Sequence, residues 1–573
     1  MEIRLAAALL LLSAPPAGRA AGPAADPRLD VLAAMEAELG RSMERLRLPG
    51  YEPPYFVGYT VRDVATTQIG ARFGALHDDT SRHDRLILAD VRVGTYDLDS
   101  SGGNEPLMLF GTDGPAWIAP KDAPLEADGP ALRNALWLVT DEKYKEAVSN
   151  FLKKRSRDVY RDEADERAPS FTRESPQRHV DPARPLTFDR DRWRRIARQT
   201  SALFRAHANV FDSSVRVTAE RQVRWIATSE GTRIVTESTI LGLHLQATAR
   251  APDGQLLEDG RDYYGRAEAD LPSEDALRAA VTALAAELKA LQAAPVIDPY
   301  TGPAILEPEA AGVLFHEAVG HRLEGERLDD DKEGQTFKGQ IGRAVLPAFL
   351  SVSDDPTLPS AVGTRLNGHY AFDDQGVPAQ RANLIRAGQL ESYLLSRKPV
   401  KPFTRSNGHG RAQGGRAPAA RMANLVVESS KAVTRDELKR QLVAEVRRQG
   451  RPYGLVIRDI SGGNTNTTGY GYQAFKGTPR LVYRVDAATG KEELVRGVEL
   501  VGTPLASVNR ILATDDAPRV FNGFCGAESG YVPVSTVSPA LLVQEIELQR
   551  VARQNERGTI LPSPWTAGAE GTK

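Results

Sequence analysis

The chain's 573 residues, 41% of them hydrophobic, hold enough apolar material for two or more ordinary domains with real cores. Its 73 Lys and Arg against 75 Asp and Glu leave a net charge of −2, which gives no electrostatic hold on nucleic acid or an anionic membrane and argues against both as partners. A single cysteine, Cys525, excludes an internal disulfide framework.

A short basic start (residues 1–4), an apolar run (5–12) and a Pro- and Ala-rich stretch read as a secretory leader, so residues 1–21 are expected to direct export to a periplasm or beyond the cell. The run is too short to span a bilayer, and no later stretch is long and apolar enough for membrane insertion. After Asp26-Pro27, Leu29, Leu32, Met35, Leu39, Met43 and Leu46 recur at helical spacing and predict an amphipathic helix. Alternation at Tyr55, Val57, Tyr59 and Val61, and again at Ile87, Ala89, Val91 and Val93, predicts two strands. Helical stretches over about residues 130–160 lead to a charge-dense region at 161–198. With Pro169, Pro176, Pro182 and Pro185 it reads as a solvated connector into another helix, with His179 on the surface and without partners.

Strand patterns return over residues 215–249 around a hairpin turn at Ser229-Glu230-Gly231. Ser273 caps a helix whose Leu277, Val281, Leu284, Leu288 and Leu291 form an apolar stripe, and residues 293–299 read as a domain boundary. Residues 300–306 are an extended entry to a helix from about Pro308, since proline suits a first turn. Beyond it, β-prone runs pair around Ala387-Gly388 and between 480–485 and 493–500, with a helix over about 434–449. The expected fold is therefore α+β and two-lobed. A mixed N-terminal domain (26–295) precedes a mainly antiparallel, barrel-like C-terminal domain (296–560) that carries the site helix, and 561–573 form a flexible tail.

That helix contains Phe315-His316-Glu317-Ala318-Val319-Gly320-His321-Arg322-Leu323-Glu324-Gly325-Glu326. Neutral imidazoles bind Zn²⁺ well, and a catalytic zinc site takes about three protein ligands plus a water whose pKa falls to about 7. The commoner arrangement is H-E-x-x-H; here there is one residue more. A step of four leaves helical side chains about 40° apart around the axis, a step of five about 140°. His316 and His321 can share a metal only if the helix widens to a π-turn or ends at Gly320, so a departure from α-helix is predicted between Ala318 and Arg322. Spacing alone is also met by two unrelated histidines, one exposed and one in the core.

The string H-E-A-V-G-H-R-L-E-G-E at 316–326 resembles the signature of the TldD/PmbA peptidases. Phe337-Lys338-Gly339-Gln340-Ile341-Gly342, residues 373–381 and Arg421-Met422-Ala423-Asn424 are similar to corresponding segments of that family, so the resemblance covers most of the C-terminal half. The N-terminal half is similar only in its order of elements and in the hairpin turn, where Thr228 replaces Asn. Two departures are Glu326, where the family usually has Asp, and the loop 406–420, richer in glycine and alanine.

The resemblance implies one Zn²⁺ per active subunit, held by His316, His321 and the distant Cys525, with Glu317 as general base and then proton donor to the leaving amine. Without it, Cys525 reads as a buried inert thiol. Glu324 is a candidate to orient a ligand imidazole. His409, Arg411, Tyr470 and Tyr472 are candidates to line the cleft. The resemblance further implies unfolded or extended peptides as substrates, and dimerisation with a second copy or a PmbA-like partner around an enclosed cavity. Rival readings are a non-catalytic partner subunit, against which the intact His316, Glu317, His321 and Cys525 count, and a zinc amidase or deacylase.

Overall fold

A computed structural model describes residues 26–101, 121–158, 168–329, 336–465, 475–502 and 508–551. The leader-like residues 1–21, the tail 561–573, Tyr470 and Tyr472 lie outside these. Helix α1 (Pro27–Arg45) begins where Asp26 accepts a hydrogen bond from the Arg28 amide at 3.0 Å and proline occupies the first turn. Its Val31, Met35 and Leu39 join Leu136 and Val148 of α2 (Gly129–Asp158) in a core on one face of a sheet. That sheet starts as a hairpin of two 19-residue strands, β1 (Pro54–Arg72) and β2 (Ala75–Val93).

The described part of the charge-dense region, residues 168–198, is more structured than a solvated connector. Within it β3 (Arg178–Val180) pairs in parallel with a sheet strand, and α3 (Arg190–Ala202) buries Trp193, Ile196 and Ala197. These apolar residues fall on one helical face, while Arg190 and Arg194 reach out to Asp79. His179 has a partner, Asp181, at 2.7 Å. Strands β4 (Asp212–Thr228), β5 (Arg233–Arg250) and β6 (Leu256–Gly265) complete the sheet in the order β2-β1-β4-β5, with β3 and β6 both on β5. The β4–β5 turn falls where predicted, with Gly231 at φ +105°, a conformation glycine adopts without strain. Helix α4 (Glu274–Ala293) is capped by Ser273 and buries the predicted stripe against this sheet.

The C-terminal half is built around a closed ring. Strand β7 (Tyr300–Leu306) pairs with Tyr453–Thr465, and the path continues through Phe475–Asp486 and Val498–Gly502 to Leu541–Arg550, which pairs back on β7. A separate sheet runs in the order Gln389–Leu390, Ala382–Arg386, Leu350–Asp354, Asn424–Ser429, Gly530–Ser538, Arg519–Ala527. The fold is thus α+β with a barrel-like C-terminal sheet. Among the described residues no helix is long and apolar enough to cross a membrane.

Buried charge joins the N-terminal sheet to the C-terminal half. The Asp374 carboxylate accepts from Arg62 at 2.8 Å and from Arg224, while the Ala412 amide donates to its other oxygen at 2.7 Å. Burial pushes this carboxyl up, but the two guanidiniums outweigh burial and hold it at about 2. A depressed carboxyl contributes stability above its ordinary pKa and loses it as pH falls through the folded value. Asp374→Ala, which leaves two buried guanidiniums without their counter-charge, is expected to lower stability by about 3–5 kcal/mol. Urea unfolding at neutral pH measures this, and the deficit should shrink as pH falls from 3.8 towards about 2.

Candidate metal centre

Helix α5 (Pro308–Phe315) follows β7 directly, with Pro308 in its first turn, and its Ala310, Ala311, Val313, Leu314 and Phe315 are all buried. At His316 the helix widens into a π-turn through Gly320 and then tightens to a 3₁₀ turn, His321–Leu323. The predicted departure from α-helix is therefore present and begins two residues earlier, at His316. It brings the His316 and His321 rings to 4.9 Å between centroids, at 90° to each other. Gly320 has an ordinary right-handed φ of −55°, so its backbone does not require glycine. Close approach does: a Cβ there would sit 1.9 Å from the Met422 sulfur.

Cys525 arrives from the far end of the chain on the strand Arg519–Ala527, opposite Val532 of Gly530–Ser538. Alternation along that strand turns Cys525 inward (4% exposed) and Phe524 outward (48%). The sulfur lies 3.1 Å from His316 Nε2 and 3.3 Å from His321 Nε2, and all three donor atoms fall within 4.8 Å of one another. In tetrahedral zinc with ordinary bond lengths, nitrogen and sulfur ligands stand about 3.5 Å apart. The donor set fits zinc with a few tenths of an ångström of outward movement.

The electrostatics suit such a set. Burial opposes ionisation of Cys525, but His316 and His321 outweigh it and bring the thiol down to about 4. Burial likewise opposes a charged His321, and Glu324 and Cys525 overcome it, lifting the imidazole to about 10. Burial pushes Glu324 up, yet His321 and Arg327 hold it well below the usual carboxylate range. A dication held by these donors would take the place of the His321 proton and leave the thiolate as it is.

Glu324 Oε2 accepts from His321 Nδ1 at 3.0 Å and from Arg327 Nε at 2.7 Å. With Nδ1 as the donor, His321 Nε2 is left to face the metal position, the orienting arrangement that Glu324 suggested in the sequence. Glu324 Oε1 stands 3.3 Å from Arg421 Nε, a charge contact without hydrogen-bond alignment. Arg421 itself donates to the Cys525 carbonyl at 2.8 Å, to Ser529 Oγ at 2.8 Å and to the Gly530 carbonyl at 3.1 Å. Fully buried, it ties the cysteine hairpin to the His321 side. Sequence reasoning assigned Arg421 no role. Its side-chain hydrogen-bond partners lie more than a hundred positions away, and the only signal was the family-like segment 421–424.

Glu317 places a carboxylate oxygen 4.0 Å from His321 Nε2. It shares a cavity of about 290 Å³ with His316, His321, Cys525, Arg327, Phe524 and Glu528. His409 and Arg411, expected at the cleft, do not line it. The fully buried His409 holds Nε2 at 3.3 Å from Asp354 and Nδ1 at 3.0 Å from the Asn407 carbonyl. Arg411 donates to the Met422 and Pro533 carbonyls. The glycine-rich segment folds inward, so its polar side chains serve buried backbone and carboxylate groups. Tyr470 and Tyr472 lie outside the described residues. Glu326 accepts from Ser396 and from the Ala420 amide at 3.1 Å, anchoring the end of the motif to a neighbouring loop.

Two imidazoles, a thiolate and a separate carboxylate around one cavity make a centre of the kind metal-dependent hydrolases use. Residues 299–550 match the PmbA/TldA metallopeptidase C-terminal domain, and residues 181–291 match the central domain of the same family. The chain belongs to the TldD/PmbA family. A metalloprotease of Archaeoglobus fulgidus is 31% identical over 42% of this chain and 51% of its own length. A zinc metalloprotease TldD homolog of Saccharolobus solfataricus is 25% identical over 43% of this chain and 51% of its own. The matched stretch thus spans about half the length of these relatives. Crystalline TldE from Thermococcus kodakarensis superposes with a TM-score of 0.57 at 15% identity, covering 90% of this chain and 100% of that one, a likeness of fold.

In metal-free protein, ultraviolet thiolate absorbance should persist at neutral pH and disappear with a midpoint near 4; an ordinary thiol would titrate near 9.0. Glu324→Gln is expected to weaken zinc binding about 10- to 100-fold, read by competition with a chelating dye.

Proposed function

We propose that this protein is a zinc peptidase acting on unfolded or extended peptides, with His316, His321 and Cys525 as metal ligands. The observation that carries the reading is the convergence of two Nε2 atoms and one Sγ beside a carboxylate that is not needed as a ligand. Zinc bound there supplies Lewis acidity and lowers the pKa of a water to about 7. Glu317 is positioned to take the proton of the attacking water and return it to the leaving amine nitrogen. Glu324 and Arg421 hold His321 and the Cys525 strand in register for this. The metalloprotease names of the relatives support a peptide bond as the target.

The strand Arg519–Ala527 ends its sheet, and its outer edge pairs with no other described strand. Such an edge can hold an extended peptide through backbone hydrogen bonds, which are indifferent to side chains. Assembly with a second copy or a TldE-like partner would enclose the cavity and exclude folded substrates, and the leader-like residues 1–21 support export.

Glu317→Gln is expected to retain one zinc per chain and lose at least about a hundredfold in turnover of an unfolded polypeptide. Chelation should abolish wild-type activity and added zinc restore it. Full activity in the metal-bearing mutant would remove Glu317 from the mechanism.

A further inference from the structure

We infer that Arg327 is a specificity-determining residue that receives a substrate carboxylate, from a peptide C-terminus or an Asp or Glu side chain, close to the bond at the metal centre. This rests on the peptidase reading. Arg327 lies on the 3₁₀ turn Gly325–Asp329, immediately after the metal helix, and its side chain walls the same cavity as His316, Glu317 and His321.

Two of its carboxylate contacts among the described residues differ in kind. Nε donates at 2.7 Å to Glu324, which is 1% exposed and also holds His321, so this contact fixes the guanidinium. Nη2 donates at 2.8 Å to Glu528, which is 53% exposed in the turn between the strands of the cysteine hairpin. An exposed carboxylate on a turn holds a guanidinium only weakly. A substrate carboxylate can take the place of Glu528 and keep the planar geometry that guanidinium favours, while Glu528 swings into solvent.

The other ionisable groups in the cavity make this cation consequential. Glu317, on the wall of the same cavity, would repel an anionic substrate that lacked a paired site. Counter-charge for Glu324 explains the Nε contact, but a second, exposed partner on the cavity wall is not needed for it. Arg327 and Glu317 wall one cavity with His316 and His321, so an anion held at Arg327 lies beside the bond presented there.

The test uses zinc-loaded full-length protein and two matched peptide pairs, one ending in a free carboxylate or an amide, the other carrying Asp or Asn next to the cleaved bond. Wild type should favour the acidic member of one pair by about tenfold or more in kcat/KM, chiefly through KM. The pair that splits identifies the carboxylate. Arg327→Gln should bring the ratio to about one with zinc retained, Arg327→Lys should keep part of it, and Glu528→Gln should raise it about threefold by removing the competitor.

Equal turnover of both members in both pairs by wild type overturns the proposal. So does an unchanged ratio in zinc-bearing Arg327→Gln, or equal losses for acid and amide, which a structural role would give. Where Arg327→Gln does not fold, an unchanged or lower ratio in Glu528→Gln overturns it. Should wild type cut no peptide, the peptidase reading fails separately, and equilibrium binding of the same pairs to zinc-loaded Glu317→Gln decides: equal affinities end the proposal.

Discussion

The widened turn from His316 to Gly320 is the constraint on which the centre depends. Without it, the five-residue step between the two histidines would send their imidazoles to different sides of the helix. A π-turn gives up regular hydrogen bonding and persists where packing fixes it. Here the fixing element is Met422, whose sulfur occupies the space a side chain at residue 320 would need. The helix before the turn is anchored on every side, since α5 is buried and tethered at once to β7. Local irregularity is thus held between two well-packed elements, and the irregular segment is the one that carries the two candidate histidine ligands.

Around that turn, charge alternates with distance from the metal position. A thiolate and two imidazoles come first; the carboxylate of Glu324 lies behind His321; Arg421 and Arg327 lie behind Glu324. Each buried charge meets an opposite one, which low-dielectric surroundings demand. Arg421 also closes the circuit, since it binds the carbonyl of Cys525 and so couples the sulfur's strand to the carboxylate that orients His321. Glu324 is the shared partner, so removing it would take a counter-charge from His321, Arg327 and Arg421 at once. Glu317 touches this lattice only at its edge, with a carboxylate oxygen 4.0 Å from His321 Nε2.

Much of this was legible in the sequence because it rests on local rules. The helix stripes of α1 and α4, the hairpin turn at Ser229-Glu230-Gly231, Pro308 at a first turn and the break in helix after His316 all follow from spacing and backbone chemistry. The α+β class followed from the same patterns. What the sequence hid were interactions set by the fold. Arg421 finds partners over a hundred positions away. His409 and Arg411 sit in a glycine-rich segment that reads as a cleft loop, yet it folds inward, where backbone carbonyls and Asp354 satisfy them. The region 161–198 was masked by charge and proline, although its Trp193, Ile196 and Ala197 make an apolar face.

The inward position of Arg411 gives it a structural meaning that a cleft residue would lack. Arg62 on β1 and Arg224 on β4 clamp Asp374, and Asp374 in turn accepts from the Ala412 amide. The adjoining Arg411 donates to the Met422 carbonyl, and Met422 is the residue pressed against Gly320. A set of buried contacts therefore runs from the N-terminal sheet to the turn that brings the two imidazoles together, polar as far as the Met422 carbonyl and apolar from the Met422 sulfur to Gly320. Packed elements of this kind transmit displacement because they have little room to deform. The N-terminal sheet thus reaches the turn that carries His316 and His321 through packed neighbours, without contributing a candidate ligand of its own.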